Sequence, residues 1–343
     1  MADKFVIRAI RGNAKSLDLS CKEIANVPTS VSAIQNLSVL RLKNNLIKAL
    51  PDELTALQNL TELHLGNNAF EEIPSVLGHI ESLKKLYLFG NQIKAVSPQV
   101  FGGLPNLVVL NLNHNQIQNL PPEIKSLAKL ELLSVTDNQL EDIPPELGQL
   151  SNLVELNLTR NKLSSLPGEL YSCKELTKLY VARNRLTVLP EGIRALAKLK
   201  ILDVAGNELS TFPVEFHMLP LQELYCEGNK FVHHQPITSV QVISVLPLKE
   251  LAARLVLLED RNKYSMVHRG LPLYPCLDAI LAGWGHCSLC LGPILNIWLE
   301  CVYFLRLKKG MKMSLRTVPV RAVLCSYTCF NRKGHSYYGL TFA

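Results

Sequence analysis

Residues 153–167 read LVELNLTRNKLSSLP, and this stretch decides the fold. Leu153, Leu156, Leu158, Asn161, Leu163, Leu166 and Pro167 spell the pattern L-x-x-L-x-L-x-x-N-x-L-x-x-L-P. The pattern recurs on both sides, with its asparagine at Asn45, Asn68, Asn91, Asn115, Asn138, Asn161, Asn184, Asn207 and Asn229. The spacings are 23, 23, 24, 23, 23, 23, 23 and 22 residues. An earlier tenth copy, LDLSCKEIANVP, has Lys22 in the asparagine's place. Registered copies at this period predict a stacked array rather than one closed core.

The spacing carries its own physics. The L-x-L centre of each copy, such as Leu40 and Leu42, turns two side chains inward at strand periodicity. Strands of successive copies then stack in parallel. The asparagine falls where the chain leaves the strand, and its amide is expected to bond backbone groups and link neighbouring copies. The following L-P starts the return segment on the convex side, where proline restrains the chain without removing a ladder donor. No copy is stable alone. This is the leucine-rich-repeat pattern in its short class, similar to intracellular scaffold and signalling proteins. It lacks the cysteine-rich flanks of extracellular receptors. The expected architecture is an α/β leucine-rich-repeat solenoid of about ten repeats, with parallel strands on its concave face.

Leucines and asparagines build the array and name no ligand. The positions between and beside the core leucines face the concave surface. They include Arg41, Lys43, His64, Tyr87, Phe89, Asn111, His114, Ser134, Asp137, Asn157, Arg160, Tyr180, Arg183, Asp203, Tyr225 and Glu227. Exposed Tyr, Phe and Arg on one face are typical anchors of protein interfaces. The plainer alternative is a solvated face with scattered aromatics. No stripe of one charge runs along it, so a phosphate backbone is a poor partner there.

The 343 residues are 48% apolar and carry a net charge of +7. Residues 1–236 hold 23 Lys/Arg against 24 Asp/Glu, whereas residues 237–343 hold 13 against 5. The basic excess thus lies in the C-terminal third, which predicts two units with different roles. The opening MADKFVIRAIRGN has no apolar run of signal-peptide length. With nine cysteines, an odd count, this predicts a reducing, cytoplasmic or nuclear setting. The apolar stretch 281–299 raises a membrane question. Gly283, Gly285, His286, Gly292, Pro293 and Asn296 interrupt it, so no membrane span is expected.

The division expected is a solenoid over 1–236, a helical cap or linker over 237–285 and a cysteine-rich module over 286–343. Residues 246–260, LPLKELAARLVLLED, read as an amphipathic helix with Leu248, Leu251, Ala252, Leu255 and Leu258 on one face. Pro247 suits its first turn. The simplest role is to cap the last repeat. A sharper reading is that P-L-x-x-x-A-x-x-x-V over 247–256 resembles the box by which cullin ubiquitin-ligase receptors hold elongin C. That motif has cysteine where this chain has Ala252. Residues 261–275 read as loop and 276–283 as a short helix.

Cys287 and Cys290 form C-x-x-C, and Cys325 and Cys329 form C-x-x-x-C. Four thiolates suit a closed tetrahedral zinc site, with Zn–S bonds of ~2.3 Å. Between the pairs, ILNIWLECVYFLRL and RTVPVRAVL read as the two strands of a hairpin, with KKGMK in its loop. Knuckle, hairpin, second pair and a helix shortened by Gly334 together resemble a treble-clef α+β zinc module. Redox thiols and unliganded buried thiols are the alternatives. His286 and His335 flank the site as substitute ligands. Cys226 takes a core leucine's place, and Cys21, Cys173, Cys276 and Cys301 are read as structural. Arg306, Lys308, Lys309, Lys312, Arg316 and Arg321 make the hairpin basic. Nucleic-acid binding is therefore the alternative function, against a solvated loop.

The opening FVIRAIRGN, the ELYCEGN of the last repeat, IWLECVYF and VPVRAVLCSYTCF together resemble the leucine-rich repeat-containing protein 69 family over nearly the full length. The ending, an L-x-E-L-x-x-R helix followed by paired cysteines, also resembles that of a cullin-linked leucine-rich receptor. The resemblance implies the solenoid. The expected function is an intracellular protein-binding adaptor or scaffold, in its sharper form a substrate-recognition subunit of a cullin-type ubiquitin ligase with elongin as partner. No nucleophile–base pair, phosphate loop or spaced carboxylate pair points to an enzyme.

Overall fold

A computed structural model describes residues 2–232, 246–296, 298–307, 310–330, 332 and 338–339. The boundary expected at 236, and the residues Lys308, Lys309, Gly334 and His335, lie outside them. Each L-x-L centre forms a three-residue strand: β1 (Ser16–Asp18), β2 (Val39–Arg41), β3 (Glu62–His64), β4 (Lys85–Tyr87), β5 (Val109–Asn111), β6 (Leu132–Ser134), β7 (Glu155–Asn157), β8 (Lys178–Tyr180), β9 (Ile201–Asp203) and β10 (Glu223–Tyr225). Beyond them come β11 (Gly285–His286), β12 (Pro293–Ile294), β13 (Leu299–Arg306), β14 (Lys312–Met313), β15 (Thr317–Leu324) and β16 (Tyr338–Gly339). The helices are α1 (Ala2–Arg11), α2 (Pro98–Gly102), α3 (Leu248–Asp260), α4 (Met266–Gly270), α5 (Pro275–Leu281) and α6 (Tyr327–Phe330).

The chain forms two compact units. The first comprises Met1–Leu209, Met218–Lys230 and Lys308–Leu315. Its parallel sheet runs β1 to β10 in order and ends on β14. Leu40, Leu42 and their equivalents are fully buried. Each asparagine works as its position predicts. Asn161 Nδ2 donates to the carbonyls of Val135 (2.9 Å) and Leu158 (3.0 Å), and its Oδ1 accepts from the Leu140 amide (3.0 Å). One side chain thus ties its own repeat to the one before. The first copy has no predecessor to hold, so Lys22 serves there without an amide. Its backbone N–H instead donates to Asn45 Oδ1.

Pro28, Pro51, Pro74, Pro121, Pro144 and Pro167 each precede a one-turn 3-10 helix on the return side. The copy with 24-residue spacing accommodates its extra residue by forming α2 there instead. Val6 and Ala9 of α1 are buried at the first repeat. At the far end β14 pairs with β10, and the Ser314 hydroxyl accepts the Cys226 amide at 3.0 Å. The loop residues expected to be solvated therefore extend the sheet.

The second unit comprises Ser210–His217, Phe231–Leu307 and Arg316–Ala343. β13 and β15 form the expected antiparallel hairpin, and β16 adds to β13. Phe212 bridges β15, its amide donating to the Pro319 carbonyl (2.9 Å) and its carbonyl accepting the Arg321 amide (2.8 Å). Residues 261–275, read as loop, contain α4, which Ser265 caps by accepting the Val267 amide.

The helix α3 corrects a sequence expectation. Its leucine face is exposed, with Leu248 at 81%, Leu255 at 67% and Leu258 at 52%. The buried face is Glu250, Ala253 and Leu257, packed with Leu271, Leu281 and Leu295. Among the described residues, no helix is long and apolar enough to cross a membrane.

Candidate functional site

The sheet brings the predicted face together in one register. Arg41, His64, Tyr87, Asn111, Ser134, Asn157, Tyr180, Asp203 and Tyr225 are successive partners across neighbouring strands. Lys43, Phe89 and Glu227 lie two residues further along their own chains, on the same face by alternation. His114, Asp137, Arg160 and Arg183 are placed differently. They occupy the turn leaving the strand, in left-handed backbone and exposed. His114 Nδ1 lies 2.8 Å from Asp137 Oδ2.

Sequence reasoning missed a further row. Glu62, Lys85, Val109, Leu132, Glu155, Lys178, Ile201 and Glu223 start their strands in mutual register. The same two-residue alternation that flags His64 also flags Glu62. Several of these are paired: Lys178 lies 3.0 Å from Glu155, and Lys312 lies 3.7 Å from Glu223.

Local electrostatics vary along the face. Burial pushes the Asp203 carboxyl up, and nearby Glu227 adds to this. Burial pushes the His64 imidazole down, against the raising effect of the Glu62 carboxylate. Its ring stacks on Tyr87 with centroids 4.6 Å apart and planes within 12°. Its Nε2 contacts Glu62, while its buried Nδ1 has no partner.

Phe89 lies over Gly66. A Cβ at Gly66 would stand 2.5 Å from the ring. Gly66→Ala should therefore displace Phe89 and cost about 1–3 kcal/mol. Urea denaturation reads this, and an unchanged midpoint would mean that the ring moves aside freely.

The second unit collects Cys287, Cys290, Cys325 and Cys329. Their Sγ atoms all lie within 4.8 Å of one another. Cys290 to Cys325 is 3.7 Å and Cys325 to Cys329 is 3.5 Å. Four sulfurs around a zinc at ~2.3 Å stand about 3.8 Å apart, so the donor set fits that ion. Sequence and backbone explain the gathering. β11 and β12 form a knuckle, closed by the Cys287 amide on the Gly292 carbonyl (2.9 Å) and the Leu291 amide on the Cys287 carbonyl (3.0 Å). The Gly292 amide points at Cys290 Sγ, 3.4 Å away. Cys325 follows β15, and Cys329 rides on α6 one turn later.

Burial pushes the Cys287 thiol up, but the backbone amides of Cys290, Cys325 and Leu289 outweigh it and bring it down to about 7. The His286 ring lies against Trp284 with centroids 4.3 Å apart and planes tilted by 56°. Leu291 sits at φ 58°. Left-handed backbone costs an L-residue about 1–2 kcal/mol, so Leu291→Gly should raise the unfolding free energy by about 1 kcal/mol, seen as a higher denaturation midpoint. A fall instead would mean that the side chain packs usefully.

A buried carboxylate braces this centre. Glu250 is 2% exposed. It accepts the amides of Leu295 (3.1 Å) and Asn296 (2.9 Å) and pairs with Arg254 at 2.8 Å. Arg254 also donates to the Cys325 carbonyl at 3.0 Å. These two residues are the E and R of the L-x-E-L-x-x-R stretch. Of the six basic hairpin residues, Arg321 is taken by Glu300 and Lys312 by Glu223. Cys173, Cys226 and Cys301 are buried, whereas Cys21 and Cys276 are exposed.

Stacked L-x-L strands joined by an asparagine ladder define a leucine-rich-repeat protein. The family model described as Leucine rich repeat matches residues 12–70, 35–93, 81–140, 128–186 and 174–231. Leucine-rich repeat-containing protein 69 of Xenopus laevis is 60% identical over 342 residues, 99% of each chain. The human protein of that name is 54% identical over 346 residues, again 99% of each. The chain belongs to the leucine-rich repeat-containing protein 69 family. Among solved structures, the plant peptide hormone receptor RGFR1 in complex with RGF2 is 29% identical with a TM-score of 0.52. That match covers 60% of this chain and 34% of the receptor.

Proposed function

We propose that this protein is an adaptor that binds a protein partner along the strand face from Arg41 to Glu227. The observation that carries the reading is the continuous register of nine variable side chains, aromatic and Arg among them, across β2 to β10. Leucine-rich-repeat proteins commonly bind protein ligands on such faces, and the similar plant protein is described as a peptide hormone receptor in complex with RGF2. Proximity labelling in cells, comparing the intact chain with a Tyr87→Ala/Tyr180→Ala/Tyr225→Ala variant, tests it. A partner set lost in a variant that still melts cooperatively supports the reading. An identical set from both proteins overturns it.

The four cysteines are read as one structural zinc site, because their sulfurs match a tetrahedral edge. When bound, the ion would knit the knuckle to α6. A closed four-thiolate site leaves no position for a reacting water. The reducing interior of the cell suits such free thiols.

A second reading has its own observation. The exposed leucine face of α3 suits docking against an apolar groove, and its resemblance to an elongin C box would make the chain a ubiquitin-ligase receptor. Purified elongin complex should then capture the intact protein but not Leu248→Asp/Leu255→Asp. Failure to capture the intact protein ends this reading and leaves the first untouched.

A further inference from the structure

We infer that Lys43, Tyr87 and Phe89 anchor the recognition face and select a segment in which an acidic side chain neighbours an aromatic or aliphatic one. This rests on the proposal that the strand face binds protein. Both aromatics are held in place before any partner arrives. Tyr87 lies flat on His64, and Phe89 lies on the bare backbone of Gly66. Rings fixed in this way lose little freedom on binding, which favours affinity.

Charge narrows the choice. The Lys43 ammonium stands 5.8 Å from the Phe89 centroid. Among the described residues no carboxylate lies within ion-pair distance of it, whereas Glu62 is engaged by His64 and Lys85. The patch therefore presents the Lys43 ammonium beside two half-buried rings, with a second cation, Arg41, on the strand next to His64. A carboxylate docked there gains a charge-assisted contact in a partly dry setting. An apolar side chain beside it covers the rings, where interface energy concentrates. The unpartnered Nδ1 beneath Tyr87 is a local breach of hydrogen-bond satisfaction, of the kind natural chains tolerate at functional surfaces. Further along, Tyr225 differs: its hydroxyl donates to Glu223 at 2.7 Å and Lys312 stands over its ring.

The test pans a random 12-residue phage-displayed peptide library on the immobilised full chain. Enriched peptides should carry Asp or Glu within two positions of an aromatic or aliphatic residue. A synthetic copy should bind about tenfold more weakly to Lys43→Glu and to Phe89→Ala, and within about twofold of wild type to Glu53→Ala, an exposed return-side position after Pro51. Lys43→Glu alters a half-buried surface residue, so it keeps the assay informative where Phe89→Ala disturbs packing. Absence of enrichment, or enriched peptides lacking acidic residues, overturns the inference. So does binding that Tyr225→Ala abolishes and Lys43→Glu spares, although the strand-face proposal then survives. Binding indifferent to every strand-face substitution overturns both.

Discussion

Cys287→Ser is expected to cut bound zinc from about one equivalent per chain to below half, and to strip hydrogen-exchange protection from β13 and β15. Around the cysteines, packing alone offers little to replace the ion, although Val302, Val318 and Val320 are buried along the hairpin. The module's core around the cysteines is small: Ile294, Cys301, Ala322 and Leu324 with Cys287 and Cys329. Structural zinc supplies apparent binding energies of about 10–16 kcal/mol in zinc-finger peptides, and that binding is folding energy. Cys287 is fully buried at the centre of the knuckle, so serine there removes a thiolate and leaves a hydroxyl facing three sulfurs. Elemental analysis of the reduced, purified protein reads the first effect. A wild-type protein free of zinc yet fully protected in the hairpin would show that the thiols pack without an ion.

The second large effect lies in the solenoid. Asn161→Ala should destabilise by about 3–5 kcal/mol, since each buried backbone group left unpaired costs about 1–3 kcal/mol. The substitution orphans the Leu140 amide and the Val135 carbonyl at once, while the Leu158 carbonyl keeps its bond from Asn184 Nδ2. Because both groups belong to the repeat before Asn161, the loss strikes the interface on which an array depends. Urea denaturation measures it. A loss below about 1 kcal/mol would mean that water or relaxed backbone replaces the amide.

The ladder was legible because repetition states the same local rule nine times. The L-x-L alternation and the asparagine at the strand exit are short-range features, and the sheet follows from them. The cysteine pairs were legible for a similar reason, since C-x-x-C and C-x-x-x-C each close within one turn. What escaped were choices made across long separations. The strand β14 has two residues and no period of its own; the free edge of β10 recruits it. In α3 the leucine periodicity pointed to the wrong face. Glu250 is buried instead, because the amides of Leu295 and Asn296 and the Arg254 guanidinium compensate its charge. Periodicity counts apolar residues and is blind to a carboxylate whose partners lie 45 residues away. On the strand face, side-chain alternation was read from the leucines outward, so the strand-starting row from Glu62 to Glu223 was passed over.

The adaptor reading is tested most directly by photocrosslinking from defined positions of the full chain in cells. A benzophenone amino acid placed at Tyr87, Tyr180 or Tyr225 samples the strand face, and one at Glu53 or Glu146 samples the return side. One shared protein crosslinked from the three strand-face positions, and absent from the other two, is the expected result. Crosslinks to that protein from Glu53 and Glu146, with none from the strand face, would contradict it.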